Sequence, residues 1–211
     1  TLFPYTTLFR SPTGAGKTTL LHCVEEMGGC VLDLDAVYHR LLKTNSDLLR
    51  ELDERFPGTV GAEGLDRKAL GAIVFADPEA MEALNRITGF YIRAETDRLL
   101  AEAERNETPL AAIDAINLLE SELRSRCDVS IAVVAPVETR VRRIMERDGI
   151  PEAYARSRIQ AQRPNEYYSE GCQYTLVNDV ETIEEFAAKC RKLLYAVLDK
   201  LRYHAIIPLT E

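Results

Sequence analysis

The chain has 211 residues, 46% of them apolar, which suits one domain of ordinary to large size with a substantial core. Its 26 Lys and Arg against 34 Asp and Glu leave a net charge of −8. That balance argues against a nucleic-acid partner, which calls for a basic surface, but leaves room for a local basic site for a small anion.

In chain order, "KTTLLHCVEEMG" predicts a helix with Leu20, Leu21 and Val24 on one face, stopped by Gly28-Gly29. "CVLDLD" is a short apolar run ending in carboxylates, the pattern of a buried strand, and "AVYHRLLK" resumes helical spacing. Residues 44–110 carry helical patterns with no strand signal: "SDLLRELDERF", "DRKALGAIVF" and a long run from Pro78. Strands are predicted at about Leu110–Ala115 and in "DVSIAVVAP". Two helices rich in arginine follow, "VETRVRRIMERDG" with Arg140, Arg142, Arg143 and Arg147, and "PEAYARSRIQAQRP" with Arg156, Arg158, Gln162 and Arg163. A last short strand in "YTLVND" leads to an amphipathic C-terminal helix, with Ile183, Phe186, Leu193, Leu194 and Leu198 as core candidates. Loop, helix, strand and helix in succession are the grammar of an α/β fold.

Cys23, Cys30, Cys127, Cys172 and Cys190 lack C-x-x-C spacing, so reduced thiols in a cytoplasmic protein are expected. His22, His39 and His204 form no zinc-type pair, though His39 follows Asp35 by one helical turn. No run reaches the ~18 apolar residues of a membrane span, so no membrane partner is expected. The first residues also lack the basic and apolar regions of a signal peptide. No repeat or pairing motif points to an oligomeric state.

Chemistry concentrates in three places. In "TGAGKTT", Thr13, Gly14, Ala15, Gly16, Lys17, Thr18 and Thr19 form a glycine-rich turn opening a helix. Backbone N–H groups of such a turn converge on phosphate oxygens, a lysine reaches the outer phosphates, and the first hydroxyl suits Mg²⁺. The first glycine of the full G-x-x-x-x-G-K-[ST] pattern is replaced by Ser11. Asp33 and Asp35 end the predicted strand, where ligands of open α/β sheets bind. A carboxylate there can take the proton of an attacking hydroxyl or hold magnesium through water, and either residue also suits an N-cap. Spaced by two, they share one side of the segment if it is still extended there and not already ending. Arg140, Arg143 and Arg147 share one helix face, which serves either as a solvated surface or as a closing lid over developing phosphoryl charge.

Residues from about Pro12 to Glu185 resemble the dephospho-coenzyme A kinase family, through "TGAGKTTL", "VLDLDAVYHRLL", "LDRKALGAIVFADPEAMEALNRIT", "AINLLESEL" and "VRRIMERDG…ARSRIQAQ…LVNDVETIEEF". The resemblance implies a P-loop kinase-like three-layer α/β/α fold with a parallel central sheet, a helical substrate-binding insertion and a helical lid. It implies a core of about 12–37, 108–138 and 172–211, a substrate subdomain of about 38–107 and a lid of about 139–171. It implies phosphorylation of the 3′-hydroxyl of dephospho-coenzyme A, a small-molecule substrate, by ATP with Mg²⁺. Asp35 would be the base, with Asp33 its neighbour at the substrate. Lys17 and Thr18 would serve ATP and Mg²⁺. Arg67 would contact substrate, Arg143 and Arg147 would act from the lid, and Asn178 would lie near the nucleotide. Another P-loop kinase for a nucleoside or metabolite, or a nucleotide-binding module without turnover, are the alternatives.

Three departures from the family stand in the chain. Gly89-Phe90 stands for His-Pro, and Ile116 for a proline. Residues 1–11, "TLFPYTTLFRS", stand for an apolar strand running into glycine, and they match the in-frame translation of a common sequencing adapter. The missing strand is expected to be central and buried on both faces, a slot into which "YTTLFR" can enter but where Arg10 fits poorly.

Overall fold

The computed structural model describes residues 4–114, 123 and 125–206, with the backbone alone at 203–206. Ile116 and the tail from Ile207 lie outside the described residues, and so does the His204 side chain.

The strands are β1 (Tyr5–Arg10), β2 (Cys30–Asp33), β3 (Val60–Gly61), β4 (Gly64–Leu65), β5 (Leu110–Asp114), β6 (Val129–Val134) and β7 (Tyr174–Val177). The helices are α1 (Lys17–Glu26), α2 (Leu34–Thr44), α3 (Ser46–Arg55), α4 (Arg67–Val74), α5 (Pro78–Arg105), α6 (Val137–Asp148), α7 (Glu152–Gln160), α8 (Asn165–Glu170) and α9 (Ile183–Ile206). Five strands form one sheet in the order β2-β5-β1-β6-β7. Parallel registers run Tyr5↔Leu110 to Phe9↔Asp114, Thr7↔Val129 to Arg10↔Ala132, and Ile131↔Tyr174 to Val134↔Val177. This is the expected parallel sheet with flanking helices, and β1 takes the central slot.

Period-two alternation divides the sheet's side chains between its faces. Tyr5, Phe9, Leu110, Ala112, Val129, Ile131 and Val133 form one cluster with Leu20 and Val24 of α1 and Phe186, Cys190, Leu194 and Leu198 of α9. The alternate residues, Leu8, Ala111, Ile113 and Ala132, are buried as well, as befits strands covered on both faces. Within β1, Thr7 is fully buried and its hydroxyl has no hydrogen-bond partner among the described residues. Arg10 is buried too; the fold accommodates it by stacking its guanidinium over Tyr167, 4.9 Å from the ring centre, and near Tyr168.

Two compact units emerge. One holds residues 4–31 and 103–114 with the described residues from 123 onward; the other holds 32–102. In the second unit, side-chain caps set the helix starts. Asp33 accepts the Ala36 N–H at 3.0 Å, Asn45 that of Leu48 at 2.9 Å, and Asp66 those of Lys68 and Ala69 at 2.9 Å each.

Three expectations are corrected, and one element is added. Residues 44–110 contain the antiparallel pair β3–β4, too short and too glycine-rich for a strand pattern, its turn closed by Gly64 at φ 97°. Asp33 and Asp35 do not share one side of a strand, because β2 ends at Asp33 and α2 begins at Leu34. Ile183 is 70% exposed as the first residue of α9, where no neighbouring turn covers it. The helix α8 is additional; its polar "NEYYSE" carries no apolar period.

Candidate active site

The first unit contains a cavity of about 310 Å³ lined by Ser11–Thr18, Arg143 and Arg147. It forms where β1 hands over to α1. The chain reverses with an Ala15 N–H to Pro12 O bond of 3.3 Å, and Gly14 and Gly16 adopt φ of 80° and 109°. Glycine alone enters that region without strain. Space demands it as well: a Cβ on Gly14 would stand 3.1 Å from the Arg140 backbone oxygen, and one on Gly16 would collide with the Asn178 amide. Gly16 is also the N-cap of α1 and supplies no capping side chain, so the positive end of the helix faces the cavity.

Side chains from outside the loop hold its carbonyls. Arg140 Nε donates to Thr13 O at 2.9 Å, Arg143 Nη1 to Gly14 O at 3.4 Å, and Asn178 Nδ2 to Ala15 O at 2.9 Å. Arg143 Nη2 also donates to Asn178 Oδ1 at 3.1 Å, so the last two anchors brace each other. A trans peptide is planar, and its N–H points opposite to its C=O. Tying the carbonyls of Thr13 and Ala15 outward therefore turns the N–H groups of Gly14 and Gly16 away from the anchors. That is the arrangement an anion-binding concavity needs.

Lys17 Nζ contacts the carboxylate of Asp114, the last residue of β5. Sequence reasoning passed over Asp114, although "LAAID" repeats the signature that singled out "CVLD": an apolar strand ending in a carboxylate. Arg147 lines the cavity while its guanidinium holds Asp148 through bonds of 2.7 and 3.0 Å. Those bonds, with a second guanidinium from Arg158, hold the Asp148 carboxyl down at about 2. Thr18 is exposed in the first turn of α1, and Thr19 N–H returns to Gly16 O at 3.1 Å. Thr13 to Thr19, Arg143, Arg147 and Asn178 are thus brought together in this unit. Arg140 and Gln162 were noted in the sequence as members of charged helices; the structure makes them direct partners of Thr13.

Asp33, Asp35 and Arg67 belong to the second unit. The Asp33 carboxylate is engaged as the cap of α2, whereas Asp35 is exposed in the first turn of that helix. Arg67 Nη2 lies 2.7 Å from His39 Nδ1. The two residues line a cavity of about 690 Å³ with Leu42, Lys43, Leu49 and Leu65. Arg67 and Lys43 bring positive charge to a lining that also holds Glu63 and three leucines, which suits a ligand with both a polar and an apolar part.

Residues 12–184 match the model of a protein family described as dephospho-CoA kinase. A dephospho-CoA kinase of Corynebacterium glutamicum is 33% identical over 183 residues, which cover 86% of this chain and 93% of that one. A dephospho-CoA kinase of Thermus thermophilus is 36% identical over 166 residues, 78% of each chain. Among solved structures, a Thermus thermophilus protein superposes with a TM-score of 0.71 at 33% identity, covering 94% of this chain and 98% of its own.

Proposed function

The chain belongs to the dephospho-CoA kinase family, and on that premise we propose that it transfers the γ-phosphoryl group of MgATP to the 3′-hydroxyl of dephospho-coenzyme A, releasing ADP. The observation that carries the proposal is the phosphate loop. Its carbonyls are tied outward by Arg140, Arg143 and Asn178, and its cavity is lined by Lys17, Arg143 and Arg147.

The roles divide as follows. Thr13–Gly16 cradle the phosphates with backbone N–H groups, and Thr19 closes the first turn behind them. Lys17 exchanges Asp114 for the outer phosphates when nucleotide arrives. Arg143 and Arg147 balance charge on the transferred group, and Asn178 holds the loop against the nucleotide. Asp35 accepts the proton of the attacking hydroxyl, and Asp33 fixes the helix turn that presents it. Arg67 binds an anionic part of the acceptor. Residues of about 38–107 form the substrate subdomain and about 139–171 the lid. The Thr18 hydroxyl and the Asp114 carboxylate are hard oxygen donors. They suit Mg²⁺, which takes one or two protein oxygens and completes its shell with phosphates and water. When bound, Mg²⁺ supplies positive charge to the β- and γ-phosphate oxygens. Reduced thiols and the absence of any helix long and apolar enough to cross a membrane among the described residues fit cytoplasmic work on a small molecule.

A panel of acceptors tests the reaction. Coenzyme A should form from dephospho-coenzyme A, with no comparable product from nucleosides. Phosphorylation of another acceptor instead would favour a different small-molecule kinase. The observation on that side is Phe90, 59% exposed where the family carries proline.

Residues 1–11 are read as translated adapter and not as part of the gene. Their residue-for-residue match to the adapter and a family match that starts at Pro12 support this. Genomic resequencing that returned the same codons would overturn it.

A further inference from the structure

Arg140 is the largest fully buried side chain among the described residues, at 2% exposure. A guanidinium so placed ordinarily meets a carboxylate, because desolvating a charge without a counter-charge costs several kcal/mol. Here all three of its described hydrogen bonds go to neutral acceptors: Thr13 O at 2.9 Å, Gln162 Oε1 at 2.8 Å and Asn165 Oδ1 at 3.4 Å. Burial lowers its pKa from the ordinary arginine value, yet a guanidinium starts so high that it stays charged.

Gln162 completes the grip on Thr13. Its Oε1 also accepts the Thr13 N–H at 3.0 Å, and its Nε2 donates to Thr13 Oγ1 at 2.9 Å. Asn165 in turn donates to Ala135 O at 2.9 Å, just past β6. Thr13 is therefore held at its amide, its carbonyl and its hydroxyl by two side chains that never enter the cavity lining. A glutamate at 162 could accept the bonds from both Arg140 and Thr13 and neutralise the buried charge. The chain has glutamine.

We propose that Arg140 and Gln162 are positioning residues for the nucleotide: a buried positive charge fixed behind Thr13, kept uncompensated by a neutral partner so that the arriving phosphates supply its counter-charge. The physical route is the Thr13–Gly14 peptide. A cation donating to its carbonyl polarises the amide and strengthens the Gly14 N–H as a donor on the opposite side, towards the phosphates. The inference rests on the phosphate loop being the ATP site.

The test uses the full chain and the variant Gln162→Glu, which keeps the tether and adds the missing carboxylate. The expected result is an unchanged or raised Tm, a KM for MgATP higher by about tenfold, and a smaller change in kcat and in the KM for dephospho-coenzyme A. MgADP affinity measured by calorimetry should fall in step. A merely structural role predicts that Gln162→Glu retains both Tm and nucleotide affinity, and that result overturns the inference. If Gln162→Glu does not fold, Arg140→Lys and Arg140→Met read the same charge. Lysine should restore most of the MgADP affinity that methionine loses, and equal losses overturn the inference. A parent chain that binds no MgADP and shows no acceptor-dependent turnover would instead defeat the underlying kinase proposal.

Discussion

The strand and the loop that meet at Arg10 are held in opposite ways. In the loop, the carbonyls of Thr13, Gly14 and Ala15 each meet a donor from another element, and both glycines stand where a side chain would strain or clash. In β1, pairing to β5 and β6 is complete in register, yet the fully buried Thr7 hydroxyl has no partner among the described residues. Its neighbour β6 shows what the slot prefers, with "VSIAVV" buried throughout. Backbone pairing accepts almost any β-favouring residues; side-chain satisfaction is what sets the two segments apart.

Variants can break that contrast from the loop side first. Lys17→Ala removes the cation proposed to serve the outer phosphates and should lower kcat by about two to three orders of magnitude in steady-state assays. Asn178→Ala removes the Ala15 anchor and the brace on Arg143. Because Asn178 is buried at 3% exposure, a loss of about 1–3 kcal/mol in unfolding free energy is expected together with a raised KM for MgATP. On the strand side, the sign reverses. Thr7→Val removes a buried hydroxyl with no partner among the described residues and should stabilise by about 1 kcal/mol, raising Tm by about 2–4 °C, with turnover unaltered. A destabilised Thr7→Val would show that β1 is as well satisfied as the loop.

The smallest effect concerns two cysteine thiols. Burial, then the neighbouring Cys23, pushes the Cys190 thiol up to about 12, and burial, then Asp128, pushes Cys127 to about 11. Alkylation needs the thiolate, so at pH 8 both should label slowly, and their rates should rise as pH climbs toward those values. Mass spectrometry should find Cys172, half-buried, modified before Cys190.

Much of this was legible in the chain. "TGAGKTT" opening a helix, and apolar runs alternating with helical spacing, carry the α/β fold and the phosphate cavity. Features that depend on tertiary contact were not legible. Nothing local in "VETRVRR" tells that Arg140 is buried against Thr13 while Arg142 beside it is exposed. The Gln162–Thr13 bonds join residues 149 apart in sequence. Asp114 was legible in principle, because its strand-end pattern equals that of Asp33, but its meaning comes from Lys17 across the adjacent strand. The β3–β4 pair, two residues to a strand, lies below the length at which alternation can be recognised.

The most direct measurement is ADP release with MgATP, with and without dephospho-coenzyme A, for the parent chain and for Asp35→Ala. Release that requires the acceptor and falls by about two to four orders of magnitude in Asp35→Ala is the predicted result. Acceptor-independent release, or full turnover by Asp35→Ala, would contradict the proposed kinase activity with Asp35 as its base.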